Sequence, residues 1–239
     1  MVAAALWGGL AAAALLIGFY VATRAPSKRA TGLIMGIGGG ALIAAIAYEL
    51  VPASNLHGWD VVLMFTLGAF TFFAGDLLID HRGGSDRKDI AGSNVGGSGA
   101  AIYIGTLLDN VPESIVLGMS LVLGGAINLA FLVAVFISNI PEGIAGSINL
   151  EAAGTPRRQV LRMWVSLVMV SAASAGLGYL VVSRLPEADG RLVQAFAAGA
   201  MLTMLADAMM PEAFEHGGKL VGLFTVLGFL LAAILSLLE

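Results

Sequence analysis

The chain has 239 residues, 58% of them hydrophobic and only 12% charged, with a formal net charge of -4. Soluble domains average about 45–50% apolar and about 25% charged residues, so this chain has too little polar surface to cover a water-soluble body, and a soluble enzyme is excluded. With no cysteine there is no disulfide framework, thiolate nucleophile or Cys-based metal site. No basic stripe exists, which argues against nucleic acid as a partner.

A helix needs about 20 mostly apolar residues to cross a bilayer. Eight such runs follow one another: Val2–Thr23, Gly32–Pro52, Val61–Ile79, Gly99–Leu123, Gly125–Leu150, Val160–Val182, Leu192–Met210 and Leu220–Leu238. They are continuous rather than alternating, which excludes the strands of a β-barrel. The expected fold is all-α: a polytopic membrane protein in one domain over residues 1–239, in contact with the lipid bilayer. The first run lacks a basic leader and its positive charges follow it, so it reads as a span and not as a cleaved signal.

Basic residues mark the cytoplasmic side. Ten of the twelve Lys and Arg (Arg24, Lys28, Arg29, Arg82, Arg87, Lys88, Arg157, Arg158, Arg162 and Lys219) follow the odd-numbered spans; Arg184 and Arg191 follow span 6. Both termini are therefore expected outside, and the link at 80–98 inside. That link, DHRGGSDRKDIAGSNVGGS, is polar and Gly/Ser-rich, the composition of a flexible loop. Ala/Gly richness and short links suggest a bacterial inner membrane.

Ionisable groups inside spans are costly and usually functional. Glu49, Asp76, Asp109, Glu113, Glu142 and Asp207 lie within or at the ends of spans, and no Lys or Arg lies mid-span. Carboxylates in low dielectric without a fixed positive partner take up protons or attract cations. The direct inference is a path for cations or protons.

Spans 4 and 5 repeat one motif. Span 4 carries Asp109-Asn110-Val111-Pro112-Glu113 and span 5 carries Ser138-Asn139-Ile140-Pro141-Glu142. Residues three and four apart share a helix face, so two such helices facing each other would gather Asp109, Asn110, Glu113, Asn139 and Glu142 around one point. Each proline removes an amide donor and would free the carbonyls of Leu108 and Ile137, of the kind that broken transporter helices offer to cations. Asn and Pro in spans also serve merely to kink and to hydrogen-bond neighbours. The donor set is oxygen-rich, which suits harder ions such as Mg, Ca and Mn.

At these residues the sequence resembles the ZIP (Zrt/Irt-like) family of divalent metal-ion transporters. Asn110, Pro112 and Glu113 match its span 4 motif, with Asp109 in place of the His and Ser114 in place of Gly; in span 5, Pro141, Glu142 and Gly143 fit, with Ser138 in place of the His. Span 7, FAAGAMLTMLADAMMPEAFEHGG (Phe196–Gly218), and span 2, GGGALIAAIAYELVPAS (Gly38–Ser54), resemble their counterparts and echo each other. The resemblance implies eight helices in a 3+2+3 arrangement, with spans 1–3 and 6–8 as inverted repeats, both ends outside, and uptake of a divalent metal into the cytoplasm by alternating access. It makes Asp109, Asn110, Glu113, Asn139 and Glu142 the metal ligands, with Ser138, Glu49 and Asp207 as secondary candidates; the last two could equally be polar packing. The metal (Zn, Mn, Fe or Cd) is cargo, and no tightly bound cofactor is implied. The missing histidines weigh against tight Zn selectivity.

Other groups are open to two readings. His81 with Asp80, Asp86 and Asp89 could collect metal in the loop, and His216 with Glu212 and Glu215 could form a rim site. Asp76 is expected near the cytoplasmic end and solvated; His57 reads as interfacial. Gly32, Gly36 and Gly40 suggest static packing or a homodimer seam, and the small residues of Ser171–Gly178 a surface for sliding. A metal sensor that does not transport is the alternative function. An intramembrane aspartyl hydrolase would need Asp76 paired with Asp60 or Asp109. HExxH and GxSxG are both absent, so metalloprotease and α/β-hydrolase chemistry lack their residues.

Overall fold

The computed structural model describes residues 1–51, 58–84, 98–185 and 187–238. Among them eight helices are long and apolar enough to cross a membrane: α1 Val2–Ala22, α2 Lys28–Leu50, α3 Trp59–Gly83, α4 Gly99–Leu123, α5 Leu129–Ala152, α6 Arg157–Val182, α7 Gly190–Gly217 and α8 Leu220–Leu238. The protein is an all-α polytopic membrane protein. Helices suit lipid because every backbone donor finds its acceptor within the same segment.

Local chemistry sets the ends. Ser27, Ser98 and Asn128 cap α2, α4 and α5, each side-chain oxygen accepting from the amide three residues on, as N-caps do. The cap at Asn128 moves the start of α5 from the expected Gly125 to Leu129. Lys28 and Arg29, assigned to a link from sequence, form the first turn of α2; Arg157, Arg158 and Arg162 do the same in α6. Gly154 (φ 84) supplies the left-handed turn between α5 and α6.

Helices α2 and α7 each widen into a π-turn, over Ile46–Leu50 and Leu205–Met209. In each, the amide after the turn bonds five residues back, Val51 to Ile46 and Met210 to Leu205. In both cases a proline comes next in sequence, Pro52 or Pro211. In α7 the wide turn lets the helix run on past Pro211 to Gly217, beyond the expected end at Met210. Residues Asp80–Gly84 prolong α3 until Gly83 (φ 88) breaks it; the rest of the expected flexible loop, with Asp86 and Asp89, lies outside the described residues, as does His57.

The helices pack as two groups of four, α1/α4/α5/α6 and α2/α3/α7/α8. Four crossings of one kind hold the groups together. In each, a glycine on one helix lies against the carbonyl three residues before a glycine on the other, and the relation is reciprocal. The pairs are Gly18 with Gly143 (α1/α5), Gly118 with Gly178 (α4/α6), Gly40 with Gly228 (α2/α8) and Gly68 with Gly199 (α3/α7). A Cβ at any of the eight would fall inside contact distance of backbone, for example 2.6 Å from the Ile115 carbonyl at Gly178.

These pairs reveal the internal symmetry. Exchanging α1 with α6, α2 with α7, α3 with α8 and α4 with α5 maps the first crossing onto the second and the third onto the fourth. It also maps the π-turn of α2 onto that of α7. Related helices are an odd number of spans apart and run in opposite directions through the bilayer, so spans 1–3 and 6–8 are inverted repeats around α4 and α5.

The Gly32, Gly36 and Gly40 stripe is used within the chain, against Gly217 and Ala213 of α7 and Val221 and Thr225 of α8. The small residues of α6 pack on α1 and α4, inside their own group. The surface between the groups is built by α2 and α8 against α5, and by α3 and α7 against α4. Outward faces are apolar, and Trp59, 88% exposed at the start of α3, stands where aromatic side chains anchor a span at the membrane interface.

Candidate metal centre

Helices α4 and α5 run through Pro112 and Pro141 without interruption. The expected break does not occur, although neither proline can donate to the carbonyl one turn back, that of Leu108 or Ile137. Both helices pack against members of both groups, and this position buries the motif side chains. Asp109, Asn110, Glu113, Asn139 and Glu142 are each at most 4% exposed, and Ser138 is fully buried. None of the six faces lipid.

Hydrogen bonds orient the amides. Asn110 donates through Nδ2 to the Thr106 carbonyl at 3.1 Å, one turn back on its own helix. Asn139 donates through Nδ2 to the Ala11 carbonyl on α1 at 3.2 Å. A carbonyl can only accept, so the nitrogen of each amide is fixed and the oxygen becomes the end turned elsewhere. Asn139 Oδ1 is buried and accepts no hydrogen bond from a described residue. Ser138 donates to the Val135 carbonyl at 2.9 Å, and Gly38 of α2 lies so close that a Cβ there would sit 2.8 Å from Ser138 Cα. The missing side chain lets the second helix group reach the motif.

The carboxylates are less closely gathered than the spacing suggested. Among the described residues no three His, Asp or Glu side chains form a group able to hold a metal ion. A centre here therefore needs the amide and hydroxyl oxygens beside the acids.

The secondary candidates lie elsewhere. Glu49, on the π-turn of α2, accepts from Nδ2 of Asn128 at the start of α5. That cap precedes Asn139 by eleven residues, about 16 Å along the helix axis. Asp207, on the π-turn of α7, is exposed. His216 pairs with Glu212 one turn away at 2.9 Å, while Glu215 is exposed. Asp80 is half-buried and His81 exposed at the end of α3.

Asp76 corrects the sequence reading: it is 5% exposed, within the packing of α3, and not solvated. Its neighbour Gly75 faces the Leu108 side chain of α4. Asp60, in the first turn of α3, is exposed and sixteen residues away on the same helix, about 24 Å, so an Asp60–Asp76 dyad is ruled out. Sequence reasoning also missed Ser147, which donates to the Gly143 carbonyl at 2.5 Å and accepts from Trp164 Nε1 at 2.9 Å. This link ties α5 to α6 one turn beyond the motif; its signal was a lone Trp in an otherwise aliphatic span.

No protein-family model matches the chain. A protein of Arabidopsis thaliana named "putative zinc transporter" is similar to it, with 26% identity over 195 residues, or 77% of this chain and 30% of that protein. The chain thus spans under a third of this relative's length. Fold and site define a polytopic membrane protein with buried oxygen donors on two central helices, and the similarity places it near a protein named for metal transport.

Proposed function

We propose that the chain carries divalent metal cations across the membrane into the cytoplasm by alternating access, as a divergent ZIP-like transporter. The observation that carries this reading is the burial of Asp109, Asn110, Glu113, Asn139 and Glu142 on two adjacent central helices that contain no Lys or Arg. Such a donor set attracts cations and repels anions. The relative's name and the resemblance of the motifs favour a metal over a proton.

The ion exchanges water for carboxylate and amide oxygens, with Ser138 as a further oxygen. No bond chemistry is involved. The α1/α4/α5/α6 group moves against the α2/α3/α7/α8 group and exposes the centre to one face and then the other. Oxygen ligands without imidazole favour a broad, weaker preference among Zn, Mn, Fe and Cd. By the Lys/Arg distribution both termini face outward, in a bacterial inner membrane, with residues 80–98 as the cytoplasmic loop. A homodimer is compatible with this scheme and not required by it.

Uptake of Mn²⁺ or Zn²⁺ into proteoliposomes tests the proposal. A transporter accumulates the ion; a sensor binds it without accumulation, and that result would overturn transport.

A further inference from the structure

A cavity of about 680 Å³ opens where the ends of α2, α4 and α8 meet the starts of α5 and α7. It lies between the two helix groups, at the membrane face opposite the 80–98 link. Its polar lining is Glu49, Ser120, Asn128, Arg191 and Gln194.

Asn128 organises this lining. Its Oδ1 accepts from the Phe131 amide at 2.6 Å as the cap of α5, its Nδ2 donates to Glu49 Oε2, and its own amide reaches Ser120 Oγ at 3.4 Å. One carboxylate oxygen of Glu49 is thus held, and Oε1 remains. Gln194 is 6% exposed, and its Oε1 accepts no hydrogen bond from a described residue. A buried amide oxygen without a donor is costly unless something else in the cavity satisfies it. The volume holds roughly twenty waters at about 30 Å³ each, enough for an ion with most of its shell. Two protein oxygens plus water suit a hard divalent cation that dehydrates reluctantly. Arg191, the other charged lining group, offsets the charge of Glu49 and keeps the hold loose. A site that passes its ion onward must bind weakly.

We infer that this cavity is a second cation site, separate from the α4/α5 centre, where Glu49 and Gln194 hold a partly hydrated divalent ion. Its role as a waiting station rests on the transport reading; its existence does not. The test is Mn²⁺ binding to the detergent-purified full chain, followed by the loss of the free-ion electron paramagnetic resonance signal. The Glu113→Ala/Glu142→Ala protein is expected to keep one Mn²⁺. Adding Glu49→Gln, which can still accept from Asn128, should weaken that binding about tenfold, the lower end of the loss when a metal-site contact is removed. Gln194→Met, equal in length but without the oxygen, should weaken it in the same direction, and Arg191→Gln should tighten it. No Mn²⁺ bound in the double variant, or unchanged affinity after Glu49→Gln and Gln194→Met, would overturn the inference. In liposomes, Glu49→Gln should raise the half-saturating Mn²⁺ concentration while maximal uptake stays within about twofold, since the carboxylate acts before the central step. A wild-type chain that takes up no metal but passes the binding test refutes transport alone.

Discussion

The side chain of Asn139 on α5 donates to the backbone carbonyl of Ala11 on α1 at 3.2 Å, which leaves Oδ1 as the only end of the amide able to meet a cation. Replacing Asn139 with Leu keeps the volume and removes that oxygen. Metal uptake should fall about tenfold or more, as for the loss of one ligand or ligand-orienting contact, with helicity by circular dichroism unchanged. Asn139→Asp tests the donor half: the oxygen is retained but the bond to Ala11 is lost. Uptake equal to wild type in Asn139→Leu would remove Asn139 from the site.

Glu113→Ala and Glu142→Ala each delete a buried carboxylate from the centre. Uptake into liposomes should be abolished in both, with a size-exclusion profile like that of the wild type. Proton and metal compete for the same oxygens, so wild-type uptake should also decline as the external solution is acidified. Normal uptake by both variants would dissolve the proposed centre.

Asp109→His restores an imidazole at the start of the span 4 motif. Imidazole favours Zn over Mn, so the ratio of Zn²⁺ to Mn²⁺ uptake in a competition series should rise. An unchanged ratio would place Asp109 away from the bound ion.

The glycine crossings make a stability prediction with its own control. Gly228→Ala puts a methyl group against the Ile37 backbone, which cannot move aside without shifting α2, and overpacking of this kind costs about 1–3 kcal/mol. Gly222 lies on the same helix, where a methyl group would meet no neighbour within 4 Å; Gly222→Ala should be neutral or stabilising by about 0.5–1 kcal/mol. Thermal unfolding in detergent should separate the two variants in opposite directions.

The span count is legible because hydrophobic run length is a local property, and so is the Asn-x-Pro-Glu repeat, a string of residues. Which helices meet is not. Gly40 announces a close approach to something, but nothing in its neighbourhood names Gly228 as the partner, 188 positions away. Asp76 escapes the sequence because burial near a helix end depends on what packs over it. The Glu49–Asn128 contact is hidden because the apolar run puts Asn128 inside a span beginning at Gly125, when its side chain in fact starts the helix. The motif prolines suggest broken helices, yet continuous packing on both sides keeps α4 and α5 intact.

The inverted symmetry has a consequence for how one sequence can present two faces. If the first three helices took the shape now held by the last three, and the last three that of the first, the backbone would be the same object turned over. An alternate conformer open on the opposite side therefore needs no new architecture, only a trade of postures between related halves. The two forms would differ in energy only where the paired side chains differ, as Glu49 and Asp207 do in their matching π-turns, and the ion gradient would then set the direction of net flow.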